Sequence, residues 1–142
     1  MCKYSKFDKR MINCIKIESD VKMIKKHLFE MCTSLEQIII PSSVTSIEDG
    51  AFQGCKSLTQ VIIPSSVELI GEYAFSQCTS LKQITIPSSV ESIENSAFEG
   101  CSSLIQITIP SSVSIIRKKV FYECSSLTQI IIPSSINSIG DR

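Results

Sequence analysis

Apolar residues return along this chain at a fixed interval. Read from Pro64, one unit runs Pro-Ser-Ser-Val67-x-x-Ile70-x-x-x-Ala74-Phe75-x-x-Cys78-x-x-Leu81-x-x-Ile84-x-Ile86, and the next unit begins 23 residues on. Pro41, Pro64, Pro87, Pro110 and Pro133 keep that interval, as do Phe29, Phe52, Phe75, Phe98 and Phe121 and the row Leu35, Leu58, Leu81, Leu104 and Leu127. A fixed period of this length is the signature of a repeat architecture, in which each unit is one supersecondary element. Leu-x-x-Ile-x-Ile ends in period-two alternation, is rich in β-branched residues and precedes a proline that stops ladder pairing, so strands are expected at 12–17, 35–40, 58–63, 81–86, 104–109 and 127–132. Pro-Ser-Ser then turns the chain, Val67 and Ile70 point inward along an extended return path, and Ala74-Phe75 occupies a tight turn or a single helical turn. Polar residues such as Glu48-Asp49-Gly50 and Glu94-Asn95-Ser96 suit entry to that turn.

One unit buries too little to fold alone, so units must stack and share their apolar faces. Strands at the same place in every coil then pair in register into a parallel sheet spaced by roughly 4.8 Å. The expected organisation is a single domain over 1–142: degenerate repeats at 1–40, four complete 23-residue repeats at 41–132 and a truncated repeat at 133–142. Residues 18–40 hold Val21, Ile24, Leu28, Phe29 and Cys32 in frame but place Glu18 where the proline belongs, and Ile12, Ile15 and Ile17 fill the Leu, Ile and Ile slots one unit earlier. A degenerate end coil is expected where one face meets water.

The unit resembles the BspA-like class of leucine-rich repeats, whose pattern is close to I-P-x-x-V-x-x-I-x-x-x-A-F-x-x-C-x-x-L-x-x-I-x, and the resemblance covers about 120 of the 142 residues. It implies a right-handed solenoid with a parallel β-sheet on the concave side and short turns or helical turns on the convex side. It also implies surface proteins of bacteria and parasitic protists, and adhesion to host proteins or other cells. Such roles differ between members of a fold.

Charge changes the picture only by exclusion. Fourteen Lys and Arg balance 14 Asp and Glu, so nothing favours nucleic acid or an anionic membrane, either of which asks for a basic surplus. No apolar run approaches the roughly 18 residues of a membrane span, and the start of the chain offers no apolar stretch of a secretory signal. None of Asn13, Asn95 and Asn137 begins an Asn-x-Ser/Thr sequon. These absences lean toward an intracellular location, whereas the resemblance leans toward the cell surface. Residues 1–30 hold eight basic and four acidic residues, and the remainder six and ten. That reads as solvated caps and loops, with head-to-tail association steered by opposite charge as the sharper alternative. The chain stops at Ile139-Gly140-Asp141-Arg142, partway through a coil. A fragment of a longer product is expected, ahead of end-to-end self-association at the exposed sheet edge or a frayed terminus.

Candidate chemistry is sparse. Cys32, Cys55, Cys78, Cys101 and Cys124 fill one repeat slot and are expected as packed free thiols along the interior; bridging neighbours and a metal site are the lesser alternatives, since a row of thiols makes no tetrahedron. Cys14 falls in an outward slot and is expected to be exposed. His27 reads as a surface-loop histidine, Glu68, Glu91 and Glu94 as solvated charges, and no motif for catalysis, a cofactor or phosphate binding is present.

The outward strand positions are where recognition is expected. One column is Gln37, Gln60, Gln83, Gln106 and Gln129; beside it run Ile39, Ile62, Thr85, Thr108 and Ile131; a third is Glu36, Thr59, Lys82, Ile105 and Thr128. Stacked glutamine amides have a structural explanation, hydrogen bonding to one another at strand spacing. The functional reading is a flat, weakly charged strip with exposed isoleucines that docks a protein. The function expected is a non-catalytic protein-binding module acting through the concave sheet, in adhesion if it reaches the surface. The alternative is an intracellular scaffold or structural array without a dedicated ligand.

Overall fold

A computed structural model of the chain describes residues 11–141. Its strands form two series that alternate along the chain. The first comprises β1 (Cys14–Lys16), β3 (Gln37–Ile39), β5 (Gln60–Ile62), β7 (Gln83–Thr85), β9 (Gln106–Thr108) and β11 (Gln129–Ile131). The second, on the return path, comprises β2 (Met23–Ile24), β4 (Ser46–Ile47), β6 (Leu69–Ile70), β8 (Ser92–Ile93), β10 (Ile115–Ile116) and β12 (Ser138–Ile139). Pairing is parallel with a register of one repeat, as in Gln60↔Gln83 and Ile47↔Ile70. The result is a parallel β-solenoid of the leucine-rich-repeat type.

Three details depart from the sequence-based expectation. First-series strands are three residues long, because the chain is still turning at the leucine (Leu58 N–H donates to Cys55 O at 3.1 Å) and the proline ends the ladder. They pair as β1–β3, β5–β7 and β9–β11, with longer single links between pairs: Thr59 N–H to Glu36 O at 3.5 Å and Ile105 N–H to Lys82 O at 3.4 Å. The extended return path is itself a sheet, with β2, β4, β6 and β8 joined in one ladder.

Of the two alternatives for the Ala-Phe segment, the tight turn is the one adopted, and no helix occurs among the described residues. Two slots per coil explain it. His27, Gly50, Tyr73, Ser96 and Lys119 in one, and Met31, Gly54, Gln77, Gly100 and Glu123 in the other, have φ between 54° and 71°. Left-handed residues four apart interrupt a right-handed helix. Alternate amides instead reach the next coil: Gly50 N–H to Glu72 O at 2.7 Å, Phe52 N–H to Ala74 O at 2.8 Å and Gly54 N–H to Ser76 O at 2.8 Å. The amides between them close the turn locally, as Ala51 N–H does on Glu48 O at 3.2 Å. Glycine at 50 and 100 also makes room for a neighbour, since a Cβ there would overlap the His27 ring and the Gln77 amide respectively.

Inside, the phenylalanines stack in file from Phe29 to Phe121, with ring centroids 5.3 to 5.9 Å apart and interplanar angles of 3° to 18°. Phe52, Phe75, Phe98, Leu58, Leu81 and Leu104 are wholly buried. In the last coil the inward slots open to solvent: Ile130 is 38% and Ile132 46% exposed, where their counterparts Ile84 and Ile86 are each 7% exposed.

Candidate recognition surface

Strand geometry alone positions the proposed strip. Val61, Ile84 and Ile107 turn into the core, so the residues on either side of each must turn out. All ten residues anticipated for the strip, Gln37, Ile39, Gln60, Ile62, Gln83, Thr85, Gln106, Thr108, Gln129 and Ile131, are exposed. Register sets Gln60 beside Gln83, Ile62 beside Thr85, Gln106 beside Gln129 and Thr108 beside Ile131, and continues the glutamine file through Gln37 to the exposed Cys14. Ile62 is the most open apolar residue of the strip, at 70%. Two shallow grooves lie between the columns, one of 320 Å³ bordered by Gln60, Ile62, Gln83 and Thr85 and one of 290 Å³ bordered by Gln83, Thr85, Gln106 and Thr108. They share Gln83, Ile84 and Thr85 and so form one trough across the central coils.

The structural explanation for the glutamine file is not realised. Among the described residues no glutamine amide of the file hydrogen-bonds to another, although Gln60 faces Gln83 and Gln106 faces Gln129 in register. Elsewhere, fixed polar columns do bond between coils. Ser43, Ser66 and Ser89 donate Oγ–H to Val21, Val44 and Val67 carbonyls at 2.7, 2.6 and 2.7 Å. The cysteines likewise donate: Sγ of Cys55, Cys78, Cys101 and Cys124 lies 3.1 to 3.2 Å from the carbonyl oxygen of the phenylalanine 26 residues earlier. All four thiols are buried, so the row runs along the interior as expected. Burial pushes the Cys78 thiol well above its ordinary range and that of Cys124 up to about 11. The donor role escaped the sequence reading, which treated cysteine as a small apolar residue; its signal was that the slot never drifts to alanine or valine.

The opposite rim is built differently. Lys26 Nζ lies 2.7 Å from Asp49 Oδ2, Asp49 Oδ1 accepts the Glu72 N–H at 3.0 Å, Asn95 Nδ2 donates to Glu72 Oε1 at 2.9 Å, and Asn95 Oδ1 accepts the Lys118 N–H at 3.2 Å. The Lys26 hydrogen bond holds the Asp49 carboxyl below its usual range. Glu94, expected to be simply solvated, pairs with Arg117 at 3.1 Å and accepts from Ser92. His27 stands in the exposed turn, Nδ1 3.3 Å from the Glu30 carboxylate. Among the described residues no group of three or more His, Cys, Asp or Glu could hold a metal ion, and no helix is long and apolar enough to cross a membrane.

The family model for the BspA type leucine rich repeat region matches this chain in six copies, over residues 2–102 and 46–142. Among solved structures, a leucine-rich repeat protein of T. pallidum is 32% identical with a TM-score of 0.89, covering 92% of this chain and 61% of its own. One from Bacteroides ovatus is 34% identical with a TM-score of 0.71, over 93% of this chain and 40% of its own. A leucine rich cell surface protein of Faecalibacterium prausnitzii is 38% identical with a TM-score of 0.81, over 84% and 32%. The chain thus spans less than two thirds of the length of each. No curated protein matches it.

Proposed function

The chain belongs to the BspA-type leucine-rich repeat family, and on that premise we propose that it is a non-catalytic recognition module that binds protein partners through the first-series strand face. One observation carries this reading: the glutamine column is identical in five coils, is exposed, and bonds to nothing within the file. Positions beside it drift freely, as in Glu36, Thr59, Lys82, Ile105 and Thr128. An outward strand position that the fold does not use should drift in the same way. Exposed Ile39, Ile62 and Ile131 add apolar area of the kind that partners cover. That face is the concave one in the solenoid the family resemblance implies. Adhesion at a cell surface is part of the proposal, supported by the cell surface relative from F. prausnitzii.

Replacing Gln83, Thr85 and Thr108 together by Lys tests it. The three side chains point to solvent, so circular dichroism should be unchanged while capture from cell lysate and from extracellular-matrix extract is lost. Undiminished capture by the triple variant would remove the face from consideration.

A second reading, a scaffold or structural array without a dedicated ligand, is favoured by the inter-coil bonds of Ser66 and Cys78, which account for fixed columns without any partner. End-to-end self-association also belongs here. It would rest on half-open Ile130, Ile132 and Ile139, an apolar contact. Such contact would tighten with salt rather than loosen.

A further inference from the structure

We infer that the occupant of the trough is an extended, uncharged polypeptide segment laid across the coils, its backbone held by the glutamine amides. The inference rests on the strand-face reading above and adds the chemistry of the partner. Charge selects first. Across β3 to β11 the outward columns carry one acid, Glu36, and one base, Lys82, so the face complements neither phosphate nor sulfate nor a basic peptide. No aromatic ring stands in those columns for a sugar or nucleobase to stack on. What repeats is a primary amide, two donors and one acceptor at each coil, which is the complement of a peptide unit's C=O and N–H.

Spacing and relief agree. Three coils at roughly 4.8 Å advance about as far as four residues of extended chain at roughly 3.4 Å each, so flexible glutamines on successive coils can follow one backbone. The two grooves meet at Gln83, Ile84 and Thr85 and run in that direction, across the strands. Ile62, Thr85 and Thr108 border the trough as β-branched contacts for side chains of the bound segment. Because the amides form no ladder among themselves, none has to be broken to receive a ligand.

The test uses the full chain to select from two phage-displayed peptide libraries, one uncharged and one rich in charged residues. The tightest uncharged peptide is then synthesised with and without N-methyl groups at alternate backbone amides. We expect enrichment from the uncharged library, and a loss of at least about ten-fold in affinity both on N-methylation and in the Gln60→Ala, Gln83→Ala, Gln106→Ala variant. Enrichment confined to charged sequences, no enrichment, or affinity within about two-fold after N-methylation would overturn the inference. The Lys triple variant separates the two levels. If it abolishes matrix or lysate capture while the peptide experiment fails, the face stands and the extended-peptide ligand falls; if capture ignores it as well, both fall.

Discussion

The two long sides of the solenoid obey opposite rules. On the turn side the column Lys26, Asp49, Glu72, Asn95 and Lys118 changes residue at every coil, yet the side chains of Lys26, Asp49, Glu72 and Asn95 bond to the coil above or below. On the strand side the column holds glutamine in five successive coils, from Gln37 to Gln129, and its members do not bond to one another. Variation with mutual contact is what a fold tolerates so long as each neighbour compensates. At a strand position, constancy without contact points to something outside the molecule; the equally constant and exposed Ser65 column lies in the Pro-Ser-Ser turn, where turn chemistry itself favours serine. Every coil is subject to the same stacking physics, so the repeats serve as controls for one another.

The comparison can be broken in its core first. Phe75→Ala removes the middle ring of the file, which has Phe52 at 5.3 Å on one side and Phe98 at 5.6 Å on the other, and should cost about 3 to 5 kcal/mol in a denaturant melt. A smaller loss would mean that the coils slide to close the cavity, and the register argument for both faces would weaken with it. Next in size is the contrast within Pro-Ser-Ser. Ser66 donates to Val44 O at 2.6 Å whereas Ser65 is exposed without such a bond, so Ser66→Ala should cost about 1 kcal/mol and Ser65→Ala less than about 0.5. Equal effects would show that constancy cannot be apportioned between fold and surface in this way.

Much of this was readable from residues alone. The 23-residue spacing of Pro64 and Phe75 set the coil, and the alternation around Ile84 told which neighbours face out, because strand geometry leaves no other choice. The two left-handed slots were not readable. Gly50, Gly54 and Gly100 mark them, but His27, Tyr73, Gln77 and Lys119 occupy the same conformation and conceal the pattern. Nor could the sequence tell a thiol packed as an apolar group from one donating to a phenylalanine carbonyl, since both demand burial. For the strip, outwardness was legible. Whether the amides pair with each other depends on rotamers, which periodicity does not encode.

The turn side can be probed through Asp49. Its carboxyl is held below the usual range by Lys26, so the pair contributes stability above the unfolded pKa of about 3.9 and loses it as pH falls through the lower folded value. The pair is largely exposed, so Asp49→Asn should cost only about 0.2 to 1 kcal/mol at pH 7, less in high salt, and the difference from wild type should vanish as pH falls through the lowered folded pKa of Asp49. A difference that persists there would assign the effect to the Glu72 N–H contact at 3.0 Å instead of to charge.

The smallest expected effect is also the most decisive for the strand side. Gln83 is exposed, sits between Gln60 and the next glutamine of the file, and belongs to no amide ladder, so Gln83→Thr should move the melting free energy by less than about 0.5 kcal/mol. Thr is chosen because it keeps β-propensity at a strand position and leaves only the amide in question. The double change Gln83→Thr and Gln106→Thr should then be additive, each still near zero. A cost above about 1 kcal/mol, or coupling between the two, would mean that the amides do support one another across the coils. The constancy of the column would then be explained from within, and nothing on the strand side would call for a partner.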